Sequence, residues 1–168
     1  MVQFMPKYIV HDDPAIVTDK QRIAMADLAP FGFPDLLEQI WLGHREDGLF
    51  VMQCAPFRIY GLSLFDVVRL DEDDMLVEVV AKGGHRTMRA LVKAGLEPQV
   101  FETLTGEIAS WAANEGFAIE WSGDRHAAVN IPGDRDANSL EAFMNAQEEA
   151  GMLFWEWSDS QPFQGPQR

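Results

Sequence analysis

VFETLTGEIASWAANEGFAIEWSGDRHAAVNI, residues Val100 to Ile131, changes its hydrophobic period part-way, and the change marks a helix followed by two strands. Phe101, Leu104, Ile108 and Trp111 recur at steps of three, four and three, which is one face of a helix over 100–114. Gly116 follows and ends it. Phe117, Ile119 and Trp121 then alternate with Ala118 and Glu120, the period of a half-buried strand. Ser122-Gly123-Asp124 is a turn, after which Ala127, Val129 and Ile131 alternate again. On the N-terminal side, Thr87 to Val92 reads as a strand. On the C-terminal side a helix begins after Asn138, which stands at N-cap to N3 spacing from Glu141, and Leu140, Phe143, Met144 and Gln147 carry it to Gly151. Leu153, Trp155 and Trp157 alternate with Phe154 and Glu156 as a last strand. The order over 87–157 is β-α-β-β-α-β, the split arrangement of a ferredoxin-like unit.

The preceding half has a different grammar. Short β-rich runs, Ile40-Trp41-Leu42, Leu49 to Cys54, Asp66 to Leu70 and Leu76 to Val80, are separated by tight turns at Arg45-Glu46-Asp47-Gly48 and Asp71 to Asp74. They predict a small barrel or curled sheet over 39–86. Residues 1–38 read as an N-terminal extension, with a short helix over Asp19 to Leu28. The tail, 158–168, carries Pro162, Gly165 and Pro166 and reads as flexible. The fold class is therefore α+β, a barrel-like N-terminal half packed on a ferredoxin-like C-terminal half.

Composition narrows the function. The chain has 168 residues, 47% of them hydrophobic, with five Trp and eleven Phe, enough for a packed core. Thirteen Lys and Arg against twenty-seven Asp and Glu give a net charge of −14. Without a Lys/Arg cluster to neutralise phosphates, neither nucleic acid nor an anionic membrane is an expected partner. An acidic surface suits a basic protein partner through electrostatic steering, although acidity also serves solubility alone. Cys54 is the single cysteine and the N-terminal run from Met1 to Val10 lacks the apolar core of a signal peptide, so a reducing, cytoplasmic setting is expected.

One further pattern is specific. Pro56-Phe57, Tyr60-Gly61-Leu62-Ser63 and Asp66-Val67-Val68 are followed by the acidic turn and then by Gly84-His85-Arg86-Thr87-Met88-Arg89. In these pieces and their order the chain resembles, from about Trp41 to Trp157, the bacterial family known as domain of unknown function 4265. It has Gly83 where the family more often shows Ser before Gly-His, and the first 38 residues lie outside the resemblance. The resemblance implies architecture and carries no activity.

No reaction centre is legible. His11, His44, His85 and His126 are scattered, so no metal is expected, and Asp71, Asp73 and Asp74 lack the Gly and terminal Glu of a calcium loop. Ser63 breaks the Gly-x-Ser-x-Gly elbow, Cys54 lies in an apolar run where it reads as buried and inert, and no phosphate-binding glycine loop occurs, so no cofactor is expected either. The one candidate ligand site is an anion site of Gly83, Gly84, His85 and Arg89, next to Arg86. The plainer reading, that His85 bridges the junction of the two halves while the arginines pair with carboxylates, is favoured over it. Trp155 and Trp157 read as core if helices cover their face. The acidic turn Asp71, Glu72, Asp73, Asp74 and the helix face Glu141, Glu148, Glu149 are the candidate partner-binding surfaces, and a solvated helix face explains the latter equally well. The leading expectation is a non-catalytic, immunity-type inhibitor that masks a basic toxin or another basic protein. The alternative is a small-molecule-binding regulatory domain, and an enzyme with an unrecognised site stands third.

Overall fold

The computed structural model describes residues 7–166. The first six residues of the expected extension, and the last two of the tail, lie outside them. Among the described residues ten strands and two longer helices form a mixed α+β structure. The first sheet contains β1 (Lys7–Ile9), β2 (Gln21–Asp27), β3 (Leu36–His44), β4 (Phe50–Met52), β5 (Val67–Leu70) and β6 (Leu76–Ala81). Its long strand β3 pairs with β2 antiparallel along its length, and on its other edge with β1 in parallel and β4 antiparallel. The order then runs β4-β5-β6, and the sheet curls until Met25 donates its N–H to the Asp74 carbonyl at 3.0 Å. A single bridge, Met25 to Met75, stands where a closed barrel would have a ladder.

The second sheet has the order β10-β7-β9-β8, every neighbour antiparallel, from β7 (Arg86–Val92), β8 (Ile119–Ser122), β9 (His126–Ile131) and β10 (Leu153–Trp157). Helices α1 (Pro98–Glu115) and α2 (Asn138–Glu149) cover one face. Met88, Ala90, Val92, Ala127, Val129, Ile131 and Leu153 meet Leu104, Ile108 and Ala112 of α1 and Leu140 and Met144 of α2 there. Trp155 and Trp157 belong to this side, and their indoles donate to Asn145 and Glu141 of α2. The opposite face turns to the first sheet, so β9 is buried at every position.

Four expectations are corrected. Residues 21–27 form a strand, not part of a helix over Asp19 to Leu28: Ala24, Ala26 and Leu28 are buried at a period of two, while Ile23 faces out. The small alanines point inward because Ile40 and Leu42 of β3 fill the core beside them. β1 and β2 are also integral to the sheet, so the extension is part of the fold. The first turn of α2 is tied by Asp136 Oδ1, which accepts the Asn138 N–H at 3.1 Å, and Ala137 rather than Asn138 is the cap residue. The tail stays on the body as well: Gly61 has φ +69, and a Cβ there would sit 2.0 Å from the Phe163 nitrogen.

Candidate functional site

Two polar constellations occupy the junction between the sheets. The first is wholly buried. His11, just after β1, places Nδ1 2.7 Å from Glu120 of β8 and Nε2 3.1 Å from Glu38 of β3, and its ring stacks on Phe57 at 4.1 Å. Glu38 also accepts the backbone N–H groups of Phe57 and Arg58, both at 2.7 Å, and Glu120 accepts those of Ala15 and Ala55. Burial alone would lower the His11 pKa. Cys54, Glu120 and Glu38 outweigh it and push the ring up, to about 12. Burial pushes the Cys54 thiol up, against the pull of His11. Burial likewise opposes ionisation of Glu38, but His11 and the two backbone donors hold its pKa below the ordinary carboxylate value. Every atom of this cluster that could meet a ligand is already bonded; it is a clamp joining four segments of chain, at 11–15, 38, 55–58 and 120. Among the described residues no group of His, Cys, Asp and Glu is disposed to hold a metal.

The second constellation is open. A cavity of about 180 Å³ lies between the sheets. Phe33, Phe57, Arg58 and Tyr60 line it from the first half, and Arg89, Leu91, His126, Phe154, Trp155 and Glu156 from the second. Arg89 is 2% exposed; its Nη1 donates to the Ile59 carbonyl at 2.8 Å, its Nη2 to Glu156 at 2.7 Å, and the guanidinium lies 4.4 Å from the Tyr60 ring centroid. The Tyr60 hydroxyl donates to Glu156 at 2.7 Å. The Arg58 guanidinium lies over Phe33. Among the described residues the buried side-chain nitrogens without a hydrogen-bond partner are Arg58 Nε, Arg89 Nε and His126 Nδ1, and all three residues line this cavity. Burial, and then the charges of Arg58 and Arg89, push His126 down to about 4, so its ring is neutral at pH 7. The arrangement can receive an acceptor-bearing group against apolar walls.

The expected anion site is divided. Arg89 belongs to the cavity, but His85 lies at the other end of the sheet junction, bonded to Asn130 and edge-on to Phe65 at 4.8 Å. Gly83 makes room for the chain itself: a Cβ there would sit 2.5 Å from the Phe65 carbonyl, and its N–H is held by Asp66 at 2.7 Å. Gly84 packs against Gly133, and Arg86 pairs with Asp159 while covering Trp157. The two acidic surfaces are on separate layers. The turn Asp71, Glu72, Asp73, Asp74 links β5 to β6, with Asp74 paired to Arg22. Glu141, Glu148 and Glu149 lie on α2, where Glu141 accepts the Trp157 indole and Glu148 the Trp155 N–H.

Arg58, His126 and Glu156 escaped the sequence reading. A signal for them existed: β9 is apolar on both faces except for His126 and Asn130, and a polar residue in a doubly covered strand needs a partner or a purpose.

These features define a two-sheet α+β fold with a basic, aromatic-walled cleft between its layers. The chain belongs to the family described as Domain of unknown function (DUF4265), whose model matches residues 38–155. Of the clamp, Glu38 and Glu120 fall inside the matched segment and His11 before it. None of the curated proteins compared with it matches. A solved structure described as "Novel crystal structure of a hypothetical protein from Neisseria gonorrhoeae" is similar at 19% identity with a TM-score of 0.61 over 86% of this chain and 96% of that one, a likeness of fold alone. Among the described residues no helix is long and apolar enough to cross a membrane.

Proposed function

We propose that this chain is a non-catalytic module that binds a small anionic ligand in the cleft between its sheets. The observation that carries the reading is one apolar-lined cavity bordered by Arg58, Arg89 and His126, each of which has a buried side-chain nitrogen without a partner. A buried donor left unmade costs about 1–3 kcal/mol, and more when charged, so the two arginine Nε groups beside one cavity favour an occupant that accepts from this side of it. We read the host as a barrel-like sheet packed on a ferredoxin-like unit, in a cytoplasmic protein whose lone thiol suits a reducing compartment. Thermal-shift titration with acetate, benzoate and inorganic phosphate tests the function. At least one should raise the melting temperature saturably, by roughly 5–10 °C at a hundredfold excess over Kd, and Arg58→Met should abolish the rise. A flat response to all three would overturn the reading.

A second reading rests on the net charge of −14. It is an immunity-type role, in which the acidic surface masks a basic toxin or other basic protein. Capture on the immobilised chain should then retain one stoichiometric basic protein at low salt, lose it at high salt, and lose it when Glu72 and Asp73 are changed to Lys. Retention indifferent to salt and to those changes would remove it.

A further inference from the structure

Resting on the ligand-binding reading, we infer that the cleft takes a small aromatic monocarboxylate of about benzoate size, its ring among Phe33, Phe57 and Phe154 and its carboxylate facing Arg58 and His126. Size, wall chemistry and charge point the same way. A dry apolar cavity of about 150 Å³ is known to accept one benzene ring, and this cavity is about 180 Å³. Aromatic walls favour offset or edge contacts with a flat ring. The charge is the discriminating feature. Arg89 shares Glu156, whereas Arg58 has no carboxylate within ion-pair reach among the described residues, so two guanidinium groups against one carboxylate leave a single positive charge. A monoanion balances it. A phosphate dianion would overcompensate and meet Glu156 as a like charge.

The donor set agrees. Both terminal contacts of Arg89 are committed, to Ile59 and Glu156, which makes it a fixed rear wall. Arg58 is half-buried, stacked on Phe33 and otherwise uncommitted, so its planar fork is the group able to turn and grip a carboxylate bidentately. His126, neutral in its buried place beside two arginines, borders the same cavity and reports on what enters it.

Isothermal titration of the full chain with benzoate, benzamide and inorganic phosphate at fixed ionic strength tests this, with His126 ring resonances followed by NMR. Benzoate should bind one to one and move the His126 signals, with benzamide and phosphate at least about tenfold weaker, the loss expected when a charge-assisted hydrogen bond is removed. Arg58→Met should lose at least about tenfold for benzoate, while Arg58→Lys keeps part of it; circular dichroism verifies that both are folded. Phosphate binding as well as benzoate would overturn the aromatic monocarboxylate and leave the anion site standing. Benzamide binding as well as benzoate, or benzoate binding without moving His126, would overturn the inference. Silence from benzoate would overturn the inference, and silence from acetate and phosphate as well would overturn the anion-binding reading with it.

Discussion

His11→Ala is expected to destabilise the protein by about 3–5 kcal/mol, the range for removing one partner from a buried ion pair. His11 and Glu38 have fully buried side chains and Glu120 is 2% exposed, so the substitution leaves two carboxylates facing each other without their cation. The stack on Phe57 is lost as well. Urea unfolding followed by Trp fluorescence measures the effect; a loss below about 1 kcal/mol would mean that water or rearrangement replaces the clamp. Glu120→Gln should cost less, because an amide oxygen can still accept from Ala15 and Ala55 while the His11–Glu38 pair survives. The pH dependence carries a sign. His11 is raised in the folded state, so its contribution is complete below its ordinary value of 6.5 and fades as pH rises toward about 12. Glu38 is lowered, so its contribution is present above 4.5 and fades as pH falls through the folded value. The wild type should therefore lose stability progressively above neutrality, and His11→Ala should be flatter there.

His126 should behave in the opposite way, and its effect is the second largest. Its pKa is pushed from 6.5 down to about 4, so the unfolded chain binds a proton that the folded one refuses. Stability then falls as pH drops from 6.5 to 4, by up to about 3 kcal/mol. Glu38 adds its own loss at the acid end, so the informative quantity is a difference. His126→Gln should reduce the drop in unfolding free energy between pH 7 and pH 4 by about 2–3 kcal/mol relative to the wild type. A His126 ring that titrates near 6.5 by NMR, or equal drops in the two proteins, would show that burial and the two arginines do not hold it neutral. An anion in the cleft offsets their charge, so saturating benzoate should raise the His126 pKa and shrink the wild-type acid loss. The two histidines thus oppose each other across one junction: His11 between carboxylates wants its proton, and His126 between guanidinium groups refuses it.

The amino-acid sequence by itself determined the elements of the C-terminal half, because each carries its own period. Phe101 to Trp111 reads at helical spacing, Leu153 to Trp157 at strand spacing, and both kinds of face find their own core. It also determined that Cys54 is buried, from the apolar run around it. Residues 21–27 misled because Ile23, Met25 and Leu28 read as apolar positions of a helix around Lys20 and Arg22, whereas the neighbouring Ile40 and Leu42 make the small Ala24 and Ala26 the inward residues of a strand. The site was illegible for a similar reason. Arg58, Arg89, His126 and Glu156 are separated by up to 98 positions, and of them Arg89 alone sits in a stretch the sequence analysis singled out. The same holds for His11 and Glu120, 109 residues apart. Periodicity is a local property that any short window reports, whereas a charge acquires its partner, its desolvation and its shifted pKa only when two sheets close over it. Which carboxylates became a clamp and which arginines were left facing a cavity was decided by that packing alone.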